Sequence, residues 1–510
     1  MDLSHWIDRH AAFTPDKTAL LCDGRAWSYR GLARALEQRV AALVGQGVAP
    51  GDRVAHLGYN SVEHLLLLFA CARLGALFVP LSWRLALPEH RVMLGDCQPR
   101  VLVVDDPFVQ ASGALREHLS GTAFICIGPA RPGWMALEDL LADVPAGAAA
   151  PSRASMESAL LLCYTSGSTG QPKGVVLTQD ALFYNAINSV HMHDMSSADV
   201  ILTSLPLFHV GGLNIQTLPA LHCGATVILQ PRFEPGAVID ALQTQGVTLT
   251  VLVPAQFDLL ENDTRWATFR SGSLRAITTG STIIGADGYG KHQRAGVPLL
   301  QVYGATETCP IAAYQRASDA AQHPGSVGKA ALHCELRLAD DAGRDVPQGV
   351  TGEILIRGPN VMAGYWGKAA ESAAALSDGW YHSGDVGHQD EDGYLFVDGR
   401  RTDMIISGGE NIYPAELENV LSQCPEIAEV AVVGRPDARW GESVVAVVVP
   451  SPGRQVSAER IAELLEGRVA RYKLPREVVI AHSLPRTALG KLMREQIRTA
   501  VRRKPGVESA

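Results

Sequence analysis

The 510-residue chain has no Cys-x-x-Cys pair and no cluster of side chains at metal-ligand spacing. Its nine cysteines, at 22, 71, 97, 126, 163, 223, 309, 334 and 424, are odd in number and widely scattered. That pattern excludes a disulfide framework and leaves reduced thiols in a cytosolic protein as the expectation. Positive charge is short as well: 44 Lys and Arg stand against 53 Asp and Glu, a net charge of −9. A general nucleic-acid binder needs a basic face, so nucleic acid is not an expected partner. Long apolar runs are missing too. The most apolar early stretch, Leu65 to Leu81, is interrupted by Arg73 and Gly75 and reads as a buried helix leading to a strand, not a membrane span. The start, Met-Asp-Leu-Ser-His-Trp, has neither a basic segment nor a following apolar one, so no secretory signal is expected and the cytoplasm is the expected location.

What is present is a large apolar fraction, 47%, with only 19% charged residues. A soluble chain of this length is too long for one core, so two or more domains follow. Residues 1–150 alternate helical and strand patterns: a helix over Tyr29 to Val48, a strand over Arg53 to Leu57, a helix over Ser61 to Leu74, then short buried strands at Leu77 to Pro80 and Arg100 to Val104. Such alternation with apolar strands favours an α/β fold with a parallel sheet covered on both faces. Pro129 to Arg153, rich in Pro, Gly and Ala, reads as a surface connection. A second strand–helix series runs from Ala225 to Pro254 and from Leu274 to Thr278. From Ser326 to Val397 short β segments alternate with Gly/Asp turns, which suggests a small barrel or meander. The last hundred or so residues pattern as a compact α+β unit ending in a basic helix, whose arginines (494, 498, 502, 503) read as a solvated face.

The string Tyr164-Thr165-Ser166-Gly167-Ser168-Thr169-Gly170-Gln171-Pro172-Lys173-Gly174 follows a buried-strand pattern and concentrates glycines, hydroxyls and one lysine. Glycines let a backbone turn its amides toward a ligand, while hydroxyls and a lysine add donors and charge. It is not G-x-x-x-x-G-K-[ST], because Lys173 lies between a proline and a glycine. As a whole it resembles the nucleotide loop of the adenylate-forming enzymes: acyl-CoA synthetases, peptide-synthetase adenylation domains and luciferases. Four further strings match the same family in order. Tyr303-Gly304-Ala305-Thr306-Glu307-Thr308, alone a turn with a glutamate, resembles the second nucleotide motif. Trp380 to Gly387 resembles the motif whose aspartate, here Asp385, binds ribose; Ser407-Gly408-Gly409 and Pro485 to Lys491 resemble the two mobile catalytic loops.

The resemblance implies an acyl-CoA synthetase with ATP, Mg²⁺ and coenzyme A as co-reactants, and with a homodimer as one assembly open to it. It implies a large domain over 1–399, built of doubly wound sheets plus a small β-barrel-like part, and a mobile C-terminal α+β domain over 400–510. The amides and hydroxyls of 165–170 with Lys173 would hold phosphate; Tyr303 would stack on adenine, with Gly304, Ala305, Thr306 and Thr308 beside the nucleotide. Glu307 and Thr165 would hold Mg²⁺, Asp385 the ribose, Arg400 ribose or phosphate, and Lys491 the reacting groups. His209, in Pro206-Leu207-Phe208-His209, with Gly280 and Ser281 would line the acid site, and Gly408 and Gly409 the pantetheine tunnel. The pivot position carries Thr402 where the family has aspartate or lysine. No aspartate stands in 208–212 to hold an amino-acid ammonium, and Val302 replaces the arginine of malonate-activating members. A monocarboxylic, mostly apolar acid is expected, medium- or long-chain aliphatic first and aryl second. A separate carrier protein remains the alternative acceptor, and a non-catalytic nucleotide binder the alternative class.

Overall fold

Arg53–Leu57, Leu77–Leu81 and Val101–Asp105 are apolar almost throughout, and they form neighbouring parallel strands buried on both faces. They are the centre of an eight-stranded sheet with the order 364–365, 172–178, 159–166, 77–81, 53–57, 101–105, 123–127, 135–136. This computed structural model describes residues 1–145, 152–166, 172–280, 284, 296–407, 410–437, 439–466, 468–469, 471–487, 490 and 492–503, without the side chains of 166, 410, 411 and 503.

A second sheet has nine strands, ordered 329–330, 313–314, 299–303, 276–279, 249–251, 200–203, 226–229, 18–22, 25–28. The two sheets share one core, and the helix Val62–Leu74 lies inside it with every residue except Glu63 buried. Ser61 starts that helix by accepting the His64 amide, and Gly75 ends it in the left-handed region at φ 69°. A glycine there costs no Cβ clash, so the chain can turn at once into the strand Leu77–Leu81. The run from Leu65 to Leu81 is therefore core helix and core strand. Among the described residues no helix is long and apolar enough to cross a membrane, and all nine cysteines are free thiols.

The expected small β unit is a four-stranded antiparallel sheet of Glu335–Ala339, Gly352–Arg357, Tyr381–Gln389 and Leu395–Arg400. The C-terminal α+β unit is built on the antiparallel pair Ile427–Asp437 and Gly441–Pro450, with Glu477–Ile480 added in parallel. One face of this sheet packs Leu417, Leu421, Ile461 and Leu465; the other packs Ile497 and Val501.

Three differences from the sequence reading have physical reasons. The stretch read as a surface connection contains the edge strand Met135–Ala136 and the helix Leu137–Ala142, because Ala136 and Leu137 find buried places. The segment after His209 is helical over Val210–Gly212 and Leu218–Cys223, joined by a π-turn over Leu213–Thr217; its glycines and Pro219 hid that pattern. The final helix, Arg494–Arg503, is not simply a solvated face: Arg494 forks onto both oxygens of Glu418 at 2.6 Å, and Arg498 lies 3.3 Å from Asp403. Arg502 is exposed.

Two core histidines carry a pH consequence. Burial holds His193 down to about 4 and, with the neighbouring His56 adding to it, holds His64 well below the ordinary imidazole value. Each is neutral in the folded chain while the unfolded chain takes up a proton below about pH 6.5, so each withdraws stability as pH falls through that window. The melting temperature should fall between pH 6.5 and 5 at fixed salt, and His193→Gln should flatten the slope. A calorimetric profile that is level over this range in the parent chain would refute the assignment.

Candidate active site

The phosphate-loop string is a β-hairpin. Ala159–Ser166 pairs antiparallel with Pro172–Thr178, which sets Thr165 opposite Lys173 and Ser166 opposite Pro172. Gly167, Ser168, Thr169 and Gly170, with the Ser166 side chain, lie outside the described residues. The arms are held by a short third strand: Gly364–Tyr365 pairs with Val175 and Val176, and the Trp366 amide donates to Gly174 O at 2.7 Å. Gly174 has to be glycine here, since a Cβ would stand 2.8 Å from Leu162 Cδ1 and 3.2 Å from Trp366 Cβ. Thr165 Oγ1 makes only a long 3.5 Å contact to Lys173 O, so its hydroxyl is weakly committed.

Lys173 and Glu307 meet the same aromatic ring from different sides. Lys173 Nζ stands 5.1 Å above the Tyr365 ring and 2.6 Å from Glu371 Oε2. The Tyr365 hydroxyl donates to Glu307 Oε1 at 2.9 Å. Burial, and then the Glu307 charge, raise the Tyr365 phenol, so it stays a donor. Glu307 Oε2 has no partner among the described residues. Its backbone is fixed from both sides: Met362 N donates to Glu307 O at 2.8 Å, and Asn360 Nδ2 donates to Thr308 O at 2.7 Å. Ala305 N donates to Thr308 Oγ1 at 2.9 Å, closing the turn, and a Cβ on Gly304 would overlap the Pro310 carbonyl. Thr306 is buried within this turn.

A Mg²⁺ ion fits this donor set. Among the described residues no three His, Cys, Asp or Glu side chains gather closely enough to hold a metal alone. An ion that takes one or two protein oxygens and completes its shell with phosphate and water asks for no more than Glu307 and a hydroxyl such as Thr165.

A third group lies where Leu299–Tyr303 meets the small antiparallel sheet. Asp385 and Arg400 face each other across paired strands, with Arg400 Nε 3.0 Å from Asp385 Oδ1, and Tyr303 OH donates to Asp385 Oδ2 at 2.9 Å. The Asp385 charge raises the Arg400 guanidinium, while burial raises the Tyr303 phenol. Each Asp385 oxygen holds one donor and keeps a lone pair free for another, which is what a carboxylate receiving two sugar hydroxyls needs.

His209 caps the short helix Val210–Gly212. Its Nδ1 accepts from Gly211 N at 3.0 Å, so the ring proton is on Nε2, which has no partner among the described residues. Burial lowers this imidazole to about 4. It is therefore a neutral hydrogen-bond donor in this geometry and not a ready base. Asn60 fixes the segment from the neighbouring sheet edge: Nδ2 donates to Leu205 O at 2.9 Å and Oδ1 accepts from Leu207 N at 2.7 Å. Gly280, just past the strand Ala276–Thr279, borders Val302: a Cβ there would sit 2.9 Å from Val302 Cγ1.

Ser281, Gly408, Gly409 and Lys491 lie outside the described residues. Gly490, just before Lys491, is described, and a Cβ on it would stand 3.6 Å from Ala255 Cβ in the helix Pro254–Glu261. Tyr365, Glu371, Asn360 and Asn60 were not singled out from the sequence. Their partners lie far along the chain, 58 residues in the case of Tyr365 and Glu307, so no local spacing announces them.

Comparison with known proteins follows the same lines. Residues 7–366 match the AMP-binding enzyme family and residues 416–491 the AMP-binding enzyme C-terminal domain. The chain is 54% identical over 508 residues to an indoleacetate–CoA ligase of Aromatoleum aromaticum, covering 100% of both. It is 40% identical over 502 residues to a feruloyl-CoA synthase of Amycolatopsis sp, covering 97% of this chain and 98% of that one. Among solved structures, ATP-bound MatB from Rhodopseudomonas palustris superposes with a TM-score of 0.90 at 30% identity, covering 99% of each chain. The apo form of MatB gives 0.81 at the same identity and coverage.

Tyr365 offers the sharpest test of this geometry. Tyr365→Phe keeps the ring beneath Lys173 but removes the donor on Glu307. A charge-assisted bond of this kind contributes roughly 1.5–3 kcal/mol, so Mg²⁺-dependent ATP binding should weaken by roughly tenfold or more. Titration calorimetry at several Mg²⁺ concentrations reads this directly; unchanged affinity and unchanged Mg²⁺ dependence would show that the phenol does not steer Glu307.

Proposed function

The chain belongs to the AMP-binding enzyme family, and from that premise we propose that it converts an aryl-substituted acetic acid of the indoleacetate type into its CoA thioester. At the coarser level it is an acid–thiol ligase: ATP, Mg²⁺ and CoA are its co-reactants, and the acid passes through an acyl-adenylate. In the first half-reaction a carboxylate oxygen attacks the α-phosphorus of ATP and pyrophosphate leaves. In the second, the CoA sulfur attacks the adenylate carbonyl carbon and AMP leaves. The acid is ionised at neutral pH, so the first step needs no base.

Its difficulty is electrostatic, because two anions must come together. Lys173, drawn off Glu371, neutralises phosphate from the face of Tyr365. Glu307, steered by Tyr365, and Thr165 hold Mg²⁺, which when bound screens the phosphate charge. Asp385 accepts the ribose hydroxyls, Arg400 donates to ribose or phosphate, and the buried Tyr303 offers its ring to adenine. Gly304, Ala305, Thr306 and Thr308 shape the turn along the nucleotide. His209 points a neutral N–H donor at the acid or its thioester, with Gly280 and Ser281 lining the same side. In this reading the amides of 166–170 would receive the triphosphate, Lys491 would act on the reacting groups, and Gly408 and Gly409 would border the pantetheine, as the family resemblance implies. The expected boundary at 399/400 would fall at the end of the strand Leu395–Arg400, and Arg400 and Arg401 tie to the unit assigned to ATP, so the division between the two units is placed just after them. Gly490 lies near the helix Pro254–Glu261, where a Cβ on it would stand 3.6 Å from Ala255 Cβ, and the TM-score is higher with the ATP-bound relative than with its apo form.

The observation that carries the aryl reading is identity across the full length of both chains to the indoleacetate relative. This ordering puts aryl ahead of the aliphatic acid expected first from the sequence. With a panel of indole-3-acetate, ferulate, benzoate, octanoate and succinate, indole-3-acetate should give the highest kcat/KM, by roughly tenfold or more over octanoate. Octanoate or succinate ahead of every aryl acid would overturn the proposal.

A second measurement tests the division of labour between the loops. Lys491→Ala should slow acyl-adenylate formation by roughly 10²–10³, the usual loss for one preorganised donor, and leave the conversion of supplied acyl-adenylate with CoA near the parent rate. Equal losses in both single-turnover steps would refute this role for Lys491.

A further inference from the structure

Asn60 stands in the turn between the strand Arg53–Leu57 and the helix Val62–Leu74, and its side chain crosses from the first sheet to the second. It is buried. The turn beneath it is fixed. Tyr59 N donates to Asp105 Oδ2 at 3.0 Å and Asn60 N to Pro231 O at 3.1 Å, and a Cβ on Gly58 would stand 2.2 Å from Asp105 Oδ2. From this base Asn60 Nδ2 donates to Leu205 O at 2.9 Å and to Gln230 O at 3.0 Å, while Oδ1 accepts from Leu207 N at 2.7 Å. Turning the amide over would set its NH₂ against an N–H and its oxygen against two carbonyls, so the orientation is determined. Leu205, Leu207 and Gln230 all follow the ends of the strands Val200–Thr203 and Thr226–Leu229 of the second sheet.

One peptide plane links Asn60 to His209. The N–H of Leu207 goes to Asn60 Oδ1, and the carbonyl of the same peptide, Pro206 O, accepts from His209 N at 3.3 Å. A peptide unit is planar and stiff, so these two bonds cannot turn independently. The plane before it is held as well: Pro206 has no N–H, and the Leu205 carbonyl goes to Asn60. Gly212 closes against both, since a Cβ on it would stand 2.2 Å from Pro206 O and 2.9 Å from Leu205 O. His209 O in turn accepts from Gly212 N and Leu213 N at 3.1 Å, and its Nδ1 accepts from Gly211 N at 3.0 Å. Tilting the Pro206–Leu207 plane therefore moves the whole turn that aims His209 Nε2.

We propose that Asn60 is a positioning residue for His209, setting the direction of the Nε2–H donor through the Pro206–Leu207 peptide. The proposal rests on the reading of His209 as a donor to the acid or its thioester, and deepens it. A charged group attracts its partner over a range of angles, whereas a neutral N–H donor weakens steeply once its hydrogen bond bends. A neutral His209 therefore depends on its aim more than a cation would. The aim is taken from the first sheet, 149 positions earlier in the chain, through a side chain whose three hydrogen bonds all end on the backbone.

The test is a double-mutant cycle of Asn60→Ala and His209→Ala, run with the acid of highest kcat/KM in the panel above. Pyrophosphate release reports the first half-reaction, and single-turnover conversion of supplied acyl-adenylate with CoA reports the second. Titration calorimetry gives the ATP affinity. Asn60→Ala should slow the same half-reaction that His209→Ala slows, by roughly tenfold to a hundredfold, with ATP affinity unchanged. Added to His209→Ala, it should cost less than about twofold more, because the group it aims is gone. If Asn60→Ala does not fold, Asn60→Ser carries the cycle, with a smaller loss and the same failure of additivity. Losses that multiply in the double variant, or an Asn60→Ala chain that only melts earlier, would reduce Asn60 to a structural tie and overturn the proposal while leaving the His209 reading intact. A His209→Ala chain as active as the parent in both half-reactions would overturn both.

Discussion

A lysine and a glutamate placed in one crevice will pair with each other unless something stands between them, and a paired Lys173 and Glu307 could neither receive phosphate nor hold a cation. The ring of Tyr365 separates them. Its face takes the ammonium and its hydroxyl takes one carboxylate oxygen, so each charge is partly satisfied without cancelling the other. Glu371 holds the lysine from outside at 2.6 Å, in a half-exposed pair. The rest of the site is arranged around this separation. Gly364–Tyr365 is a two-residue strand whose pairing with the phosphate hairpin puts the ring there, and the Asn360 and Met362 contacts just before it set the height of Glu307.

The acid side rests on a neutral side chain: burial lowers the His209 imidazole to about 4, and its Nδ1 is already committed to Gly211. A neutral donor can stabilise charge developing on a carbonyl oxygen without competing for the substrate carboxylate as a strong ion pair would.

The sequence revealed those parts whose information is local. Strands at 53–57 and 352–357 coincide with apolar runs bounded by turn residues, and Asp385, Glu307 and Lys173 are recognisable within single strings. The rest depends on contacts made across the chain. Asn60 holds Leu207 from 147 positions away, and Gln216 reaches His193 and Thr278 through a π-turn that no periodicity announces. Polar residues in the middle of apolar segments, such as Gln216 and His193, look like interruptions in a one-dimensional pattern. In three dimensions they meet one another, with Gln216 Nε2 3.1 Å from His193 Nε2 and 3.2 Å from Thr278 Oγ1.

The position of a swing between the two units follows from the same kind of accounting. Arg400 is anchored to the large unit through Asp385, and Arg401 reaches Glu353 of that unit at 3.2 Å. Asp403, only two residues later, is clasped by Arg494 at 3.4 Å and Arg498 at 3.3 Å from the last helix. Thr402 is the single residue between these opposed anchors, and its carbonyl already belongs to the small unit through Arg498 Nη2 at 3.0 Å. Any rotation of one unit against the other would be absorbed by the backbone between Arg401 and the Thr402 carbonyl. Among the described residues the Thr402 side chain makes no hydrogen bond or ion pair, and the charges on either side of it, Arg401 and Asp403, tie to opposite units.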